Sequence, residues 1–337
     1  MGARVLLTGG AGYIGSHTYL ALRNAGHHPV ILDDFSNASD RVIPRLGALS
    51  GAEVPLYRGS VLDAGLLDRI MEEERIEAVV HFAARKAVGE STRMPLAYFE
   101  TNVGGLIQVL RAIDRAQVHT LVFSSSATVY GVPDQVPTPE TAPRRAMNPY
   151  GATKIMGEEI LEQTAPAGPW AFGILRYFNP VGAHPSGLIG EDPRDIPNNL
   201  MPFIAKVATG DYPSLKVFGD DYPTRDGTGE RDYIHVMDLA RAHVMSLETL
   251  LTDRTGHLVN IGTGRAYSVL EMHAAYARAS GREIPYEIVA RRPGDVPIYQ
   301  ADVSRARDIL RFEAVFGLET MCQSSWHWIK TGAMSEG

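Results

Sequence analysis

Apolar residues in the first half of the chain fall into short unbroken runs, separated by stretches with helical spacing. Residues 4–8, 30–32, 54–58, 78–82, 120–123 and 170–177 are runs of strand length. Continuous apolar runs of this kind suit strands buried on both faces. Residues 14–24, 66–74, 96–117 and 150–163 carry apolar positions at helical spacing. Pro95 precedes the third of these and Asn148-Pro149 precedes the fourth, placing Pro in the first turn and Asn at a cap. Strands alternating with helices predict a parallel sheet covered on both faces, and right-handed crossovers make it doubly wound.

The texture changes after about residue 180. Residues 179–199 are rich in Pro, Gly and Asn and read as a long loop, with a helix over 199–209 and a second Gly-rich loop over 219–229. Helical patterns at 236–250 and 269–280 alternate with apolar runs at 257–261 and 284–289. This predicts a smaller C-terminal α/β lobe. Residues 1–180 are expected to hold a nucleotide cofactor and 181–337 a substrate, with the chain crossing between lobes more than once.

Composition narrows the function. The 337 residues are 45% hydrophobic and 21% charged, with a net charge of −7. That balance disfavours a nucleic-acid binder or a polybasic membrane surface. The single cysteine, Cys322, allows no internal disulfide and points to a reducing compartment, the cytoplasm. No zinc or calcium motif appears among the 11 scattered histidines, so no metal is expected. No apolar stretch reaches the ~18 residues of a membrane span.

Two motifs carry chemistry. Thr8-Gly9-Gly10-Ala11-Gly12-Tyr13-Ile14-Gly15 joins the first strand to the first helix. Gly9 allows the turn, Gly12 lets a pyrophosphate reach the backbone, and Gly15 lets the helix pack closely. The helix N-terminus then offers free N–H groups to an anion. Asp33 ends the second strand at about the ~20-residue distance where a carboxylate meets a ribose 2′-OH. It would repel a 2′-phosphate, which favours NAD over NADP. Tyr150 and Lys154 form a Y-x-x-x-K pair on one helix face. A nearby ammonium and a nicotinamide cation are expected to bring the phenol down from its usual ~10. Ser124-Ser125-Ser126 follows the fifth strand, at the side of an open α/β sheet where ligands bind.

These residues resemble the UDP-glucose 4-epimerases (UDP-galactose 4-epimerases) of the extended short-chain dehydrogenase/reductase family. The resemblance runs from about Arg4 to Trp328. It rests on the segments TGGAGYIGSH, HFAARKAVGES, SSSATVYG, NPYGATK, LRYFNPVGAHPSG, IPNNLMP, DYPTRDGTGERDYIHVMDLA and RRPGDVPIY. It implies a Rossmann-type sheet, tightly bound NAD, UDP-glucose and UDP-galactose as substrates, and a homodimer through the long helices of the NAD lobe. Tyr150 becomes the catalytic base, Lys154 its partner at the nicotinamide ribose, and Ser126 the hydroxyl that bonds the reacting oxygen.

The implied cofactor site starts from Gly9, Gly12, Tyr13, Ile14 and Gly15, with Asp33, Asp34 and Asn37 beyond the second strand. It continues through Ser60 and Val61, then Phe82, Ala83, Ala84, Lys86 and Thr101, and closes with Ser124, Tyr177 and Phe178 beside Tyr150 and Lys154. The implied substrate site uses Lys86, Ser126, Tyr150, Asn179, Asn199 and Leu200. Lys216, Val217, Phe218, Arg231, Tyr233, Arg292, Asp295 and Tyr299 complete it. Tyr299 stands where pocket size is set, so its bulk should disfavour N-acetylated sugars. Three places depart from the family pattern: Ser60-Val61 where an Asp commonly meets adenine, Ala84-Arg85 for Gly-Leu, and Thr101 for Asn.

Three rivals stand beside this reading. A 4,6-dehydratase would place Asp-Glu where Ala127-Thr128 stand. A UDP-pentose 4-epimerase shares the same chemistry. A non-catalytic NAD-binding protein would be signalled by loss of Tyr150 or Lys154, and both are present.

Overall fold

A computed structural model describes residues 2–192, 199–292 and 294–331. Part of the loop at 179–199 and of IPNNLMP, and Pro293 of RRPGDVPIY, lie outside the described residues. The first half builds β1 (Arg4–Thr8), α1 (Tyr13–Asn24), β2 (His28–Asp33), α2 (Val42–Ser50), β3 (Leu56–Arg58), α3 (Ala64–Glu73) and β4 (Ala78–His81). It continues with α4 (Val88–Arg93), α5 (Pro95–Tyr98), α6 (Gly105–Arg115), β5 (Thr120–Ser126), α7 (Pro149–Thr164) and β6 (Ala171–Tyr177). The helix read over 96–117 is not continuous. A π-helical turn, Phe99–Gly104, separates α5 from α6.

The remainder gives β7 (Asn179–Val181), α8 (Leu200–Ala208), β8 (Leu215–Phe218), β9 (Glu230–His235), α9 (Val236–Asp253) and β10 (His257–Ile261). After these come β11 (Ala266–Ser268), α10 (Val269–Ser280), β12 (Tyr286–Val289), β13 (Ile298–Tyr299), α11 (Ser304–Leu310) and α12 (Leu318–Lys330). Among the described residues no helix is long and apolar enough to cross a membrane.

Seven parallel strands form the large sheet in the order β10-β6-β5-β4-β1-β2-β3. β4 is buried along its whole length and β1 all but its first residue, because both faces are covered. On one face Tyr19, Leu20 and Leu22 of α1 pack with Leu239, Ala242 and Leu247 of α9. On the other, Leu67 and Ile70 of α3 meet Leu106, Val109 and Ile113 of α6. The order reverses beside β1, which opens a crevice at the carboxyl ends of β1 and β4.

A cut at residue 180 does not follow the layers. Helix α9 and strand β10, read as parts of the second lobe, belong to the large sheet. β10 pairs with β6 in register His257↔Gly173 to Ile261↔Tyr177, and its apolar run suits an interior position. The rest of the C-terminal half is the smaller layer. There β11-β9-β13 with β7, and β12-β8, pack on α8, α10 and α12 around Ile204, Met272, Ala275, Tyr276 and Met321.

Candidate active site in the crevice

The Gly-rich turn is shaped by contact. Gly9 has φ +70°, and a Cβ there would lie 2.7 Å from Ala83 N. A Cβ on Gly15 would lie 2.5 Å from Gly9 O, so this glycine packs α1 onto the turn itself. A Cβ on Gly12 would meet one protein atom, Gly9 O at 3.3 Å. α1 starts after Gly12 with no side-chain cap and no acidic residue in its first turn. Its N–H groups and positive dipole end therefore face the crevice, a fit for a pyrophosphate.

Asp33 also has a structural job, accepting from Ala11 N at 3.0 Å and Phe35 N at 2.8 Å. Asp34 accepts from Ser36 N at 2.9 Å, and both Asp34 and Asn37 are exposed. Ser60 Oγ accepts from Leu62 N at 3.2 Å, while the Val61 side chain is buried in the core. Ile14 packs against the core, and Tyr13 OH donates across the crevice to Gly182 O at 2.7 Å.

Helix α7 carries the second motif. Asn148 Oδ1 accepts from Gly151 N at 2.9 Å, with Pro149 at the first helical position. Lys154 Nζ donates to Ser124 O at 2.6 Å and lies 5.9 Å from the Tyr150 ring centroid. Ser126 Oγ accepts from Thr128 N at 3.2 Å and Thr128 Oγ1 at 3.0 Å. A glycine at 157 lets the helix come close, since a Cβ there would be 2.6 Å from Phe123 Cζ.

The protein's own groups do not lower the phenol. Burial pushes Tyr150 above its usual value, and only a hydrogen bond with Ser126 opposes it. Burial likewise brings Lys154 down to about 8, with Glu158 working the other way. Low local dielectric disfavours both charged forms. The protein's own charges leave Tyr150 a phenol, so a lowered value needs the positive charge of a bound cofactor.

Around the pair, Phe82 N donates to Thr8 O at 2.9 Å and its ring packs on His243. Tyr177 OH hydrogen-bonds His243 Nε2, and Tyr177 and Phe178 are buried. Ala84 is half-buried beside this wall. The family pattern singles out Thr101, but its neighbour Asn102 does the fastening. Asn102 accepts from Arg85 N at 2.8 Å and donates to Arg85 O at 3.0 Å and Thr153 Oγ1 at 2.9 Å. A buried amide inside a helical pattern is the signal that could have found it.

The opposite wall comes from the smaller layer. Arg231 donates to Val296 O at 2.9 Å and to Asp295 Oδ1 at 3.2 Å. Arg292 lies over the Phe218 ring at 3.8 Å. Lys216 is exposed, but Val217 and Tyr233 are core residues. Both pack in the apolar cluster shared with α8 and α10. Asn179 pairs with Tyr233 across β7 and β9. Asn199 precedes α8, whose first residue is the half-buried Leu200. Glu191 Oε1 accepts from Asn199 Nδ2 at 3.2 Å and pairs with Lys86 Nζ at 3.6 Å. Tyr299 OH donates to Ala127 O, and its ring is 5.5 Å from Phe178.

A phenol, an amine and a hydroxyl thus stand at the end of β5, two strands from the β1 turn that opens α1. Such a set suits proton transfer coupled to a nicotinamide cofactor. Among the described residues no three His, Cys, Asp or Glu side chains gather as a metal site.

Comparison with known proteins agrees. The profile of the NAD dependent epimerase/dehydratase family matches residues 5–262. The chain is 51% identical over 325 residues to the UDP-glucose 4-epimerase of Bacillus subtilis, spanning 96% of each. It is 50% identical over 327 residues to that of Dictyostelium discoideum, spanning 96% of this chain and 95% of the relative. Among solved structures it superposes on the UDP-glucose-4-epimerase of Stenotrophomonas maltophila with bound NAD and formylated UDP-arabinopyranose. That match has a TM-score of 0.96 and 47% identity, covering 98% of both chains. The Bifidobacterium longum enzyme in complex with NAD+ and UDP gives 0.93 and 44%, covering 98% of this chain and 99% of the other.

Proposed function

The chain belongs to the NAD dependent epimerase/dehydratase family, and from that premise we propose that it is a UDP-glucose 4-epimerase interconverting UDP-glucose and UDP-galactose. One juxtaposition carries the reading. Tyr150 and Lys154 share a face of a capped helix, with Lys154 tied to the Ser124 carbonyl of β5, on the same sheet whose β1 leads into the uncapped start of α1. When bound, NAD supplies the oxidant that takes a hydride from sugar C4 and returns it to the opposite face. Gly12 and the first turn of α1 would hold its pyrophosphate, and Asp33 its adenosine ribose.

The chain's own residues manage the proton. Tyr150 takes it from the sugar 4-OH, Ser126 holds that oxygen by a hydrogen bond, and Lys154 favours the phenolate. Microscopic reversal gives the proton back after the ketone has turned. Arg231 and Arg292 suit the diphosphate, since guanidinium forks match phosphate oxygens. Grip on the diphosphate offsets the loose hold on the hexose that rotation requires.

The reading extends to organisation. Residues 1–180 are assigned mainly to NAD and 181–337 mainly to the UDP-sugar, with residues 236–261 returning to the NAD side. Two copies are proposed to pair through the helices after β4, where Leu96 is 82% exposed and Val88 and Met94 are also exposed. The lone buried thiol, Cys322, fits the cytoplasm. The relative holding a UDP-arabinopyranose derivative keeps a pentose substrate as the second reading, so UDP-xylose belongs in the same assay. Purified protein with UDP-galactose and no added cofactor should form UDP-glucose. Tyr150→Phe should abolish turnover while retaining NAD; turnover at the native rate would remove the proposed base.

A further inference from the structure

We infer that Glu158, gripped by Arg176, is a positioning residue for Tyr150 and Lys154, setting the catalytic helix in register on β5 and keeping a negative charge beside the lysine. This rests on the reading of Tyr150 and Lys154 given above. Tyr150, Lys154 and Glu158 stand at i, i+4 and i+8 on α7, and so share one face. Two of the three meet neighbouring residues of β5. The Ser124 carbonyl accepts from Lys154 Nζ. Ser125 Oγ donates to Glu158 Oε1. A helix fixed at two successive residues of a strand resists rolling and sliding, and so holds the end that carries the phenol.

The Glu158 anchor is braced from the next strand. Arg176 on β6 is the register partner of Ser125. It donates through Nε to Glu158 Oε1 at 2.9 Å and through Nη2 to Oε2 at 2.6 Å. Its Nη1 reaches Tyr130 OH and Glu140 O, both at 2.9 Å, and Tyr130 lies in the turn that follows Ser126. Arg144 adds a bond to Glu158 Oε2 at 3.3 Å. Glu158 and Arg176 are 0% and 2% exposed. A buried ion pair is poor evidence of stabilisation in itself, so its place directly behind the reacting pair calls for another reason.

The second part of the role is charge. Burial works against the Lys154 ammonium, and Glu158 is the charge that sustains it. The other titratable groups set against Lys154 are Tyr150 on its own helix and His81 from β4. His81 is brought down to about 3 by burial and by Lys154, so it stays neutral in the working range and offers Lys154 no counter-charge.

Glu158→Gln keeps the shape and an acceptor for Ser125 but removes the charge. The expected result is a kcat lower by roughly 10- to 100-fold. The alkaline limb of the kcat profile, where Lys154 gives up its proton, should move down by about one pH unit. KM for UDP-galactose and the content of bound NAD should stay within about twofold. The single change strands a buried guanidinium, so Glu158→Gln/Arg176→Met, which removes both charges, is measured alongside. If the pair merely holds the fold, a double variant with native melting temperature recovers native kcat and pH profile, and that overturns the inference. If it remains slow with the displaced alkaline limb, the inference stands. Tyr150→Phe separates the two levels. Its retaining activity sinks the reading of the site, whereas a dead Tyr150→Phe beside fully active Glu158 variants sinks only this inference.

Discussion

Alanine at Gly12 and at Gly15 should have opposite effects, because the two glycines answer to different neighbours. On Gly15 a methyl would sit 2.5 Å from Gly9 O and 2.7 Å from Gly10 Cα. That is about 1 Å inside the ~3.5 Å of a comfortable contact. Both atoms are backbone, in a turn already tied by Gly9 N to Leu32 O at 2.8 Å and by Ala11 N to Asp33. Relief requires moving α1 or the turn, which costs about 1–3 kcal/mol as overpacking. Gly12 has φ −69° and ψ 175°, a conformation open to any residue, and its methyl would touch only Gly9 O at 3.3 Å. Gly12→Ala should therefore leave the cofactor-stripped protein's melting temperature unchanged, while its methyl blocks the phosphate's approach. A tenfold loss of NAD affinity corresponds to about 1.4 kcal/mol. Thermal unfolding of the stripped proteins, compared at equal concentration, reads the first effect. Acid-released NAD per mole of purified protein reads the second. Full NAD occupancy in Gly12→Ala, or an unchanged melting temperature in Gly15→Ala, would refute the division of roles.

Three further outcomes are expected. Asn148→Ala removes the cap bonded to Gly151 N and should cost about 1 kcal/mol of stability together with some kcat, because Tyr150 lies in the first turn; unfolding and steady-state assays on one preparation test this. Tyr299→Cys should narrow the gap in kcat/KM between UDP-glucose and UDP-GlcNAc, since the ring packed on Phe178 and tied to Ala127 is lost; an unchanged ratio would show that Tyr299 does not set the limit. Burial lowers His17 and His81 to about 3 and His235, His243 and His257 to about 4. These groups are neutral when folded and take up protons on unfolding below ~6.5, so their stability contribution is full above that pH and is lost as pH falls toward 4. Each costs about 2 kcal/mol at pH 5, and a melting temperature flat between pH 7 and 5 would contradict it.

Much of the large sheet was legible because its strands are apolar on both faces and its glycines fall at fixed offsets. Residues 4–8 and 257–261 coincide with β1 and β10. Their partners were not legible. Nothing local in His257–Ile261 says that it leaves the smaller lobe to pair with β6. β9 reads Glu230–His235 with no clean alternation, since it is buried on both sides and hydrogen-bonded to three neighbours. The burial of Tyr233, a residue named by the resemblance alone, was for that reason not legible. Arg176 was hidden in the opposite sense, as a charge inside an apolar run whose compensating Glu158 lies on another element. For the phenol, spacing reveals the neighbouring lysine but not the burial that works against ionisation.

Strand β10 has a consequence for biosynthesis. A chain emerging from the ribosome can align β1 to β6 early, yet β6 keeps an open edge until residue 261 has cleared the exit tunnel. Over the same interval Tyr19 and Leu22 of α1 wait for Leu239 and Leu247 of α9. Bare edges and uncovered apolar faces invite association between nascent chains. Fragments ending near residue 180 should accordingly clump rather than persist as cofactor-binding miniatures, and chaperone demand should peak between these two points of synthesis.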